Sequence, residues 1–275
     1  MPNEIIPINE TLNVKTKEGI CWITLNRPKS LNALTSDLAT ALTDATSNIK
    51  NSKEIRAVVI SGAGDHFMAG GDIKTFNTIL SEEKTKKGLT QKFEDLINSF
   101  HQIIINMHTM PQPILASVSG AVAGAGVSLM AACDLAIASE DAFFTLAYCH
   151  LGVSPDGGST YALPRTVGLK RAFEIALLGD RFDVNIAVKW GMINKIVSKE
   201  SLIKETRALA NRLASGPSIA NAKAKRLLYS SFQNTLEQQL EKEVKAFSDC
   251  TVTDDFKEGV DAFMNKRTPI FTSKN

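Results

Sequence analysis

Two segments rich in glycine and alanine offer backbone amides as candidate functional groups. The first, FMAGGDIKTF, follows an apolar run that ends at Ser61, and the second, GAVAGAGVSL, follows one that ends at Ser117. Both lead into a helical pattern, and the first amides of a helix lack intrahelical partners and carry positive potential. One amide from each segment could bind the same anionic oxygen. The alternative is that small residues merely allow close packing of strand and helix.

Side chains able to transfer a proton near these segments are few. Asp156, in GVSPDGGSTY, stands at the start of a predicted helix after Pro155. An aspartate there is either an acid–base carboxylate or a cap for helix amides, and the residues alone favour the cap. Ser128 has no useful basicity, and a tyrosine such as Tyr148, with an ordinary pKa of about 10, is a poor base. Cys149 and His150 are adjacent, so we do not expect them to form a catalytic pair.

Composition excludes several functional classes. The chain has 275 residues and a formal net charge of +2, which gives no electrostatic reason to expect nucleic acid or a membrane surface as a partner. Its four cysteines are scattered without a CxxC pair, which indicates reduced thiols and a cytoplasmic protein. The N-terminal residues resemble neither a signal peptide nor a transit peptide. No cluster has the spacing of metal ligands.

The order of elements predicts an α/β protein with a helical C-terminal part. Residues 1–11 have the composition of a loose leader, and an alternating pattern about Glu18 and Gly19 predicts a β-hairpin. Short buried strands then alternate with helices, whereas from Pro164 onward the pattern is almost entirely helical. We therefore divide the chain into the leader, a core over 12–200 and a helical region over 201–275.

Five motifs in order resemble those of the enoyl-CoA hydratase/isomerase (crotonase) family, along nearly the whole chain. The motifs are ITLNRPKSLNAL, FMAGGDIKTF, PILASVSGAVAGAGVSLMAACDLAIASEDAFF, LGVSPDGGSTYALPRTVG and DAFMNKRTPIF. The resemblance implies a crotonase-type spiral of ββα units, closed by C-terminal helices that form trimers. It also implies an acyl-CoA substrate whose thioester carbonyl is held by the amides of Gly71 and Ala125.

The resemblance also narrows the chemistry. Similar hydratases carry two glutamates, and their positions are occupied here by Ser128 and Tyr148. Asp156 matches the catalytic carboxylate of the enoyl-CoA isomerases, which implies transfer of a proton from C2 to C4 of a 3-enoyl-CoA. The alternatives are a hydratase with an atypical site, an aryl-CoA dehalogenase in which His101 activates water, and a non-catalytic relative that binds CoA or RNA.

Contacts with CoA are implied in three places. Lys29 lies in the signature loop, and Phe263 and Lys266 lie in the C-terminal motif. The backbone of the first oxyanion segment is expected to bind the adenine and the pantetheine at Ala69, Gly70, Asp72 and Ile73. Tyr148 is expected either to shape the acyl pocket or hydrogen-bond to it, or to pack in the core. We expect no cofactor apart from CoA as part of the substrate, no metal, no nucleic acid and no membrane, and a homo-oligomer that is a trimer or a dimer of trimers.

Overall fold

The computed structural model describes residues 6–272, which form a mixed α/β structure with a helical C-terminal region. The strands are β1 (Ile6–Asn9), β2 (Leu12–Lys17), β3 (Ile20–Leu25), β4 (Ala57–Gly62), β5 (Ile114–Val118), β6 (Ala121–Ala123), β7 (Leu135–Ser139), β8 (Phe143–Thr145), β9 (Phe182–Asp183) and β10 (Lys195–Val197). The α-helices are α1 (Ser36–Asn51), α2 (Ile73–Glu82), α3 (Lys86–Thr109), α4 (Ala125–Ala131), α5 (Ser159–Val167), α6 (Leu169–Leu178), α7 (Val184–Lys189), α8 (Leu202–Ala214), α9 (Ser218–Ser231), α10 (Leu236–Thr251) and α11 (Asp254–Met264).

The described strands form a seven-stranded sheet in the order β1-β2-β3-β4-β5-β7-β10 and a three-stranded sheet in the order β6-β8-β9. In the larger sheet β1, β2 and β3 are antiparallel, and the pairs from β3 to β10 are parallel. The carboxyl ends of the parallel strands therefore share one edge. Both segments rich in glycine and alanine follow strands at that edge, as the sequence predicts.

The two faces of the larger sheet are covered by different helices. Alternate residues of β4 point to opposite faces, so Val58 and Ile60 belong to one apolar cluster and Val59 to another. The first cluster includes buried side chains of α1 and α3. The second is covered by α8 through Leu202 and Ala210. Helix α8 therefore packs on the core sheet, although the sequence division at residue 201 assigns it to the C-terminal region.

Part of the predicted leader forms a strand. Residues 1–5 lie outside the described part, but residues 6–9, which we expected to be irregular, form β1 and pair with β2. The prediction was wrong there because a four-residue strand is too short for a periodic pattern to reveal it. Pro7 is compatible with this strand because β1 lies at the edge of the sheet, where an amide donor is dispensable.

A buried ion pair fastens α9 to the core. The ammonium group of Lys225, which is 8% exposed, lies 2.8 Å from Oδ2 of Asp134. It also donates to the carbonyl oxygens of Met107 at 3.1 Å and Gln112 at 3.0 Å. The hydroxyl of Tyr229 donates to the other carboxylate oxygen of Asp134 at 2.9 Å. The network thus links α9 to the end of α3 and to the residue before β7.

The C-terminal helices leave many apolar side chains in contact with solvent. Large hydrophobic residues of α9, α10 and α11 are at least 41% exposed in this single chain: Leu228, Leu236, Leu240, Val244, Phe247, Phe256, Val260, Phe263 and Met264. Surfaces of this kind mark sites where another molecule binds. Among the described helices, none is both long and apolar enough to cross a bilayer.

Candidate active site

The two segments rich in glycine and alanine lie side by side. Met68 donates its amide to the carbonyl of Ala121 at 3.1 Å and accepts from the amide of Ala123 at 2.9 Å. Gly70 has a φ of +91°, and an added Cβ there would lie 3.1 Å from the carbonyl oxygen of Ala123 and 3.6 Å from Cα of Gly124. The strand-like contact therefore brings the backbone at Gly70 against the start of α4.

The amides expected to bind the oxyanion, those of Gly71 and Ala125, have no hydrogen-bond acceptor in the described part of the chain. Leu34 donates to the carbonyl of Gly70 at 2.7 Å and accepts from the amide of Asp72 at 2.9 Å. In an extended chain this pattern turns the amide of the intervening Gly71 to the opposite side. Ala125 is the first residue of α4, where no intrahelical partner exists. Neither amide donates a hydrogen bond to another described residue.

The small residues of these segments also serve packing, which was the alternative interpretation. A Cβ at Gly126 would lie 2.1 Å from the carbonyl oxygen of Met68, so α4 packs directly on the first segment. A Cβ at Gly71 would lie 2.5 Å from Cζ of Phe76. The space above Gly71 Cα is therefore filled by a ring of the same chain. Close packing and unpaired amides occur together here.

The carboxylate of Asp72 is engaged in holding the local structure. Its Oδ1 accepts from the amides of Lys74 at 2.9 Å and Thr75 at 3.2 Å, which caps α2, and its Oδ2 lies 2.8 Å from Nη2 of Arg27. Burial opposes ionisation, but Arg27 and the two amides outweigh it, so the pKa of Asp72 lies below its ordinary value. The backbone of Asp72, from which we expected a CoA contact, is engaged too, since its amide donates to Leu34 at 2.9 Å and its carbonyl accepts from Phe76 at 3.1 Å.

Asp156 is joined to Tyr148 by a short hydrogen bond. The Tyr148 hydroxyl donates to Oδ1 of Asp156 at 2.5 Å. The backbone carbonyl of Asp156 accepts from the hydroxyls of Ser128 at 3.0 Å and Ser159 at 2.9 Å. Ser128 is 1% exposed. The two residues that replace the expected glutamates thus position the remaining carboxylate, a pairing that sequence reasoning missed.

Asp156 does not cap a helix. We expected a helix to begin at this position, but α5 begins at Ser159 with Gly158 before it. Gly157 and Gly158 have φ values of +60° and +75°, and this left-handed backbone delays the helix by one turn. No described amide donates to the Asp156 side chain, so the capping role that the residues alone favoured is wrong.

Tyr148 connects the carboxylate with the second amide segment. Its ring atom Cε2 would lie 3.9 Å from a Cβ at Gly124, the residue before Ala125. Burial and the negative charge of Asp156 both raise the pKa of Tyr148 well above its ordinary value. The hydroxyl therefore stays protonated, acts as a donor to Asp156 and leaves the carboxylate as the group able to accept a proton.

Neighbouring histidines support the turns around this site. Nε2 of His101 accepts from the amide of Gly157 at 3.2 Å, so this ring holds the turn that follows Asp156. Sγ of Cys149 lies 3.9 Å from Nδ1 of His150, and Nε2 of His150 lies 3.2 Å from the carbonyl of Gly179. Both residues lie on the tight 3₁₀ turn Tyr148–Leu151, and the expectation that they do not form a catalytic pair stays a prediction.

The residues predicted to contact CoA are only partly brought together. Lys29 is exposed in the 3₁₀ turn Pro28–Ser30, and Ala69 donates to the carbonyl of Leu31 at 3.0 Å, so this loop adjoins the first segment. Ile73 is 54% exposed. Phe263, which is 83% exposed, and Lys266 belong to α11 and the turn after it, with no described hydrogen bond to either amide segment.

The arrangement suits stabilisation of a negatively charged oxygen beside a proton-accepting carboxylate. The two amides without a described partner lie on segments that pack together at Gly70 and Gly124, and Tyr148 extends from Gly124 to Asp156. Within the described residues, no group of three or more His, Cys, Asp or Glu side chains could hold a metal ion. Such amides near a carboxylate are the groups that an enzyme uses when it binds an oxyanion through its backbone.

Comparison with known proteins identifies the family. Residues 15–274 match the enoyl-CoA hydratase/isomerase family. The chain is 33% identical over 259 residues to the 1,2-epoxyphenylacetyl-CoA isomerase of Escherichia coli (strain K12), covering 94% of this chain and 97% of that protein. It is 32% identical over 267 residues to the crotonyl-CoA hydratase of Syntrophomonas wolfei, covering 96% and 99%. The crystal structure of an enoyl-CoA hydratase from Polaromonas sp. JS666 matches with a TM-score of 0.88 and 32% identity, covering 94% of this chain and 99% of that one.

The chain therefore belongs to the enoyl-CoA hydratase/isomerase family and has the crotonase fold, which confirms the resemblance found in the sequence motifs. It is an enzyme of a family that acts on acyl-CoA thioesters. Its relatives include proteins named as hydratases and proteins named as isomerases.

Proposed function

We propose that the protein is an enoyl-CoA isomerase that moves the double bond of a 3-enoyl-CoA to C2. The single observation that carries this proposal is the hydrogen bond of 2.5 Å between Tyr148 and Asp156. Tyr148 is the donor in this bond, so Asp156 supplies one proton-accepting carboxylate. A two-carboxylate hydratase needs two at this place. The coarser alternative, hydration of a 2-enoyl-CoA, would require Asp156 alone to manage both water and the proton at C2.

The reaction we propose needs one base and one oxyanion site. Asp156 takes a proton from C2, the electrons of that C–H bond pass into the dienolate, and the amides of Gly71 and Ala125 stabilise the charge on the thioester oxygen. Asp156 then returns the proton to C4 as the double bond forms between C2 and C3. A single oxyanion donor is typically worth about 10²–10³ in rate, and a positioned base about 10²–10⁴.

Replacing Asp156 by Asn tests this proposal. The change keeps the shape of the side chain and still lets it accept from Tyr148, so the fold should survive while isomerisation of 3-hexenoyl-CoA falls about 10²–10⁴-fold. The formation of conjugated 2-hexenoyl-CoA is followed by absorbance, and circular dichroism checks folding. Asp44→Asn, an exposed position on α1, is the matched control and should keep full activity.

Two outcomes would contradict the proposal. A folded Asp156→Asn protein with full activity would show that another group moves the proton. A wild-type protein that hydrates 2-hexenoyl-CoA rapidly and never isomerises 3-hexenoyl-CoA would assign it to the hydratases. Because the Escherichia coli relative is named for an epoxide isomerisation, 1,2-epoxyphenylacetyl-CoA belongs in the same substrate set as a second candidate.

We further propose that the chain acts as a homo-oligomer, a trimer or a dimer of trimers, in the cytoplasm. The exposed apolar residues of α9 to α11 support association; Phe263 is one of them, and Lys266 follows two residues after the end of α11. Phe263 and Lys266 would then contact the CoA bound to a neighbouring protomer, or the CoA of their own protomer after α11 closes over the site. The four cysteines are unpaired thiols in the described part, which supports a reducing compartment.

A further inference from the structure

The ring of Phe76 covers the backbone of Gly71. An alanine side chain at Gly71 would place its Cβ 2.5 Å from Cζ of Phe76 and 3.2 Å from both Cε atoms. These distances mean that the ring points tip-first at the Cα of Gly71. Phe76 therefore lies directly beside one of the two amides expected to bind the thioester oxygen.

Phe93 holds this ring in place. The two ring centroids are 5.4 Å apart at an interplanar angle of 75°, an edge-to-face pair. Helix α2 has no buried residue of its own, and its first turn is fixed by the Asp72 cap and the ion pair of Asp72 with Arg27. Phe76 is thus positioned by an anchored helix start on one side and by α3 on the other.

The face of α3 that carries Phe93 and Phe100 extends from the region of the Gly71 amide to that of the Asp156 carboxylate. Phe93 and Phe100 are seven residues apart, which is two turns of helix or about 10 Å, so their side chains share a face. A Cβ at Gly157 would lie 2.3 Å from Cε1 of Phe100, so this second ring packs beside Asp156. An acyl group whose thioester oxygen binds at Gly71 and whose C2 meets Asp156 would therefore have Phe76 beside its thioester end.

We propose that Phe76 determines which acyl groups the site accepts. Backed by Phe93, its ring fills the space next to the thioester and limits the bulk allowed at C2, so that straight acyl chains bind better than chains branched at C2. This inference rests on the proposed function, because it places the thioester oxygen at Gly71. One additional methyl group against a fixed wall typically changes discrimination about 10- to 200-fold.

The first experiment compares straight and branched thioesters. Calorimetry measures binding of butanoyl-CoA and 2-methylbutanoyl-CoA, and kinetics measures isomerisation of 3-pentenoyl-CoA and 2-methyl-3-pentenoyl-CoA. Wild type should favour the straight compound about 10- to 200-fold, and Phe76→Ala should reduce that ratio to about threefold or less. Ile105→Ala removes a 52% exposed side chain on α3 and should leave the ratio at its wild-type value.

The second experiment tests the contact independently of any substrate. Gly71 does not have a left-handed φ, so alanine is allowed there by the backbone and opposed only by the ring. Urea unfolding of Gly71→Ala, Phe76→Ala and the double variant should show that Gly71→Ala destabilises the wild type more than the Phe76→Ala protein. Strictly additive effects would overturn the proposal, because the ring would not lie on Gly71.

The outcomes also separate this inference from the proposed reaction. Coupled stabilities with an unchanged preference for straight chains would mean that the ring packs on Gly71 without meeting the acyl group, and the proposal would be wrong. If the wild type binds butanoyl-CoA but isomerises no 3-enoyl-CoA, the proposed isomerase activity is excluded. The ratio of the affinities for butanoyl-CoA and 2-methylbutanoyl-CoA would still test the role of Phe76. A wild type that binds no acyl-CoA would overturn both.

Discussion

Replacing Lys225 by Met should loosen the attachment of the C-terminal helices more than any exposed charge change. The ammonium group makes three polar contacts, to Asp134 at 2.8 Å, Gln112 at 3.0 Å and Met107 at 3.1 Å. Methionine has a similar length but no hydrogen to donate. The variant therefore leaves the Asp134 carboxylate without its counter-charge and two backbone carbonyls without their donor.

The expected cost follows from this geometry. Removing one partner of a buried ion pair typically costs about 3–5 kcal/mol, because the other charge stays buried. Asp134 keeps its bonds from the Tyr229 hydroxyl at 2.9 Å and the Ile114 amide at 2.8 Å, so we expect the lower end of that range. Lys257→Met is the matched control, since its ion pair with Asp254 is exposed and such pairs contribute about 0–1 kcal/mol.

Urea unfolding, followed by circular dichroism at one fixed protein concentration, measures both free energies of unfolding. The fixed concentration matters because association stabilises the folded chain. Lys225→Met with Asp134→Asn should recover part of the loss, because no uncompensated charge is then buried. Equal losses for Lys225→Met and Lys257→Met would refute the view that this ion pair fastens α9 to the core.

Two further predictions concern the site and the assembly. Tyr148→Phe removes a hydrogen bond to a charged group, typically worth about 1.5–3 kcal/mol, so isomerisation should fall about 10- to 100-fold in steady-state kinetics; a rate equal to wild type would show that Tyr148 does not position Asp156. Val244→Asp with Phe247→Asp places two charges on the exposed face of α10, where both side chains are 68% exposed. The molecular mass of the full chain measured by sedimentation should then fall from three or six times 29.8 kDa to 29.8 kDa, the mass of the monomer. An unchanged mass would exclude α10 from the interface.

Backbone elements with a clear period could be predicted from the sequence. The hairpin at Glu18 and Gly19, the buried strands β4 and β5, and the long helix α3 all stand where the residue pattern indicates them. The strands β8 and β9 could not be found, since they have three and two residues and form only because β8 pairs with β6 and β9 pairs with β8. The prediction also missed β1, because a short strand at the edge of a sheet forms only when it pairs with its neighbour.

The sequence predicts which residues belong to the site, but it does not predict most of the contacts between them. The segments that hold Gly71, Ala125 and Asp156 could be named from motifs. The bond from Tyr148 to Asp156 could not, because it depends on a 3₁₀ turn and on two left-handed glycines that displace the start of α5. Nor could a glycine pattern show that Phe76 lies on Gly71, since the ring comes from the next helix.

Helix α8 has a consequence for the chain as it leaves the ribosome. The face of the sheet that carries Ile20, Val59, Leu115 and Ile137 has all four of these residues by the end of β7 at Ser139, but the helix that covers it begins only at Leu202. Throughout the synthesis of the intervening residues, this apolar face has no cover from its own chain. Exposed surfaces of this kind are where nascent proteins aggregate or recruit chaperones, so the order of elements along the chain exposes this protein to aggregation during its synthesis.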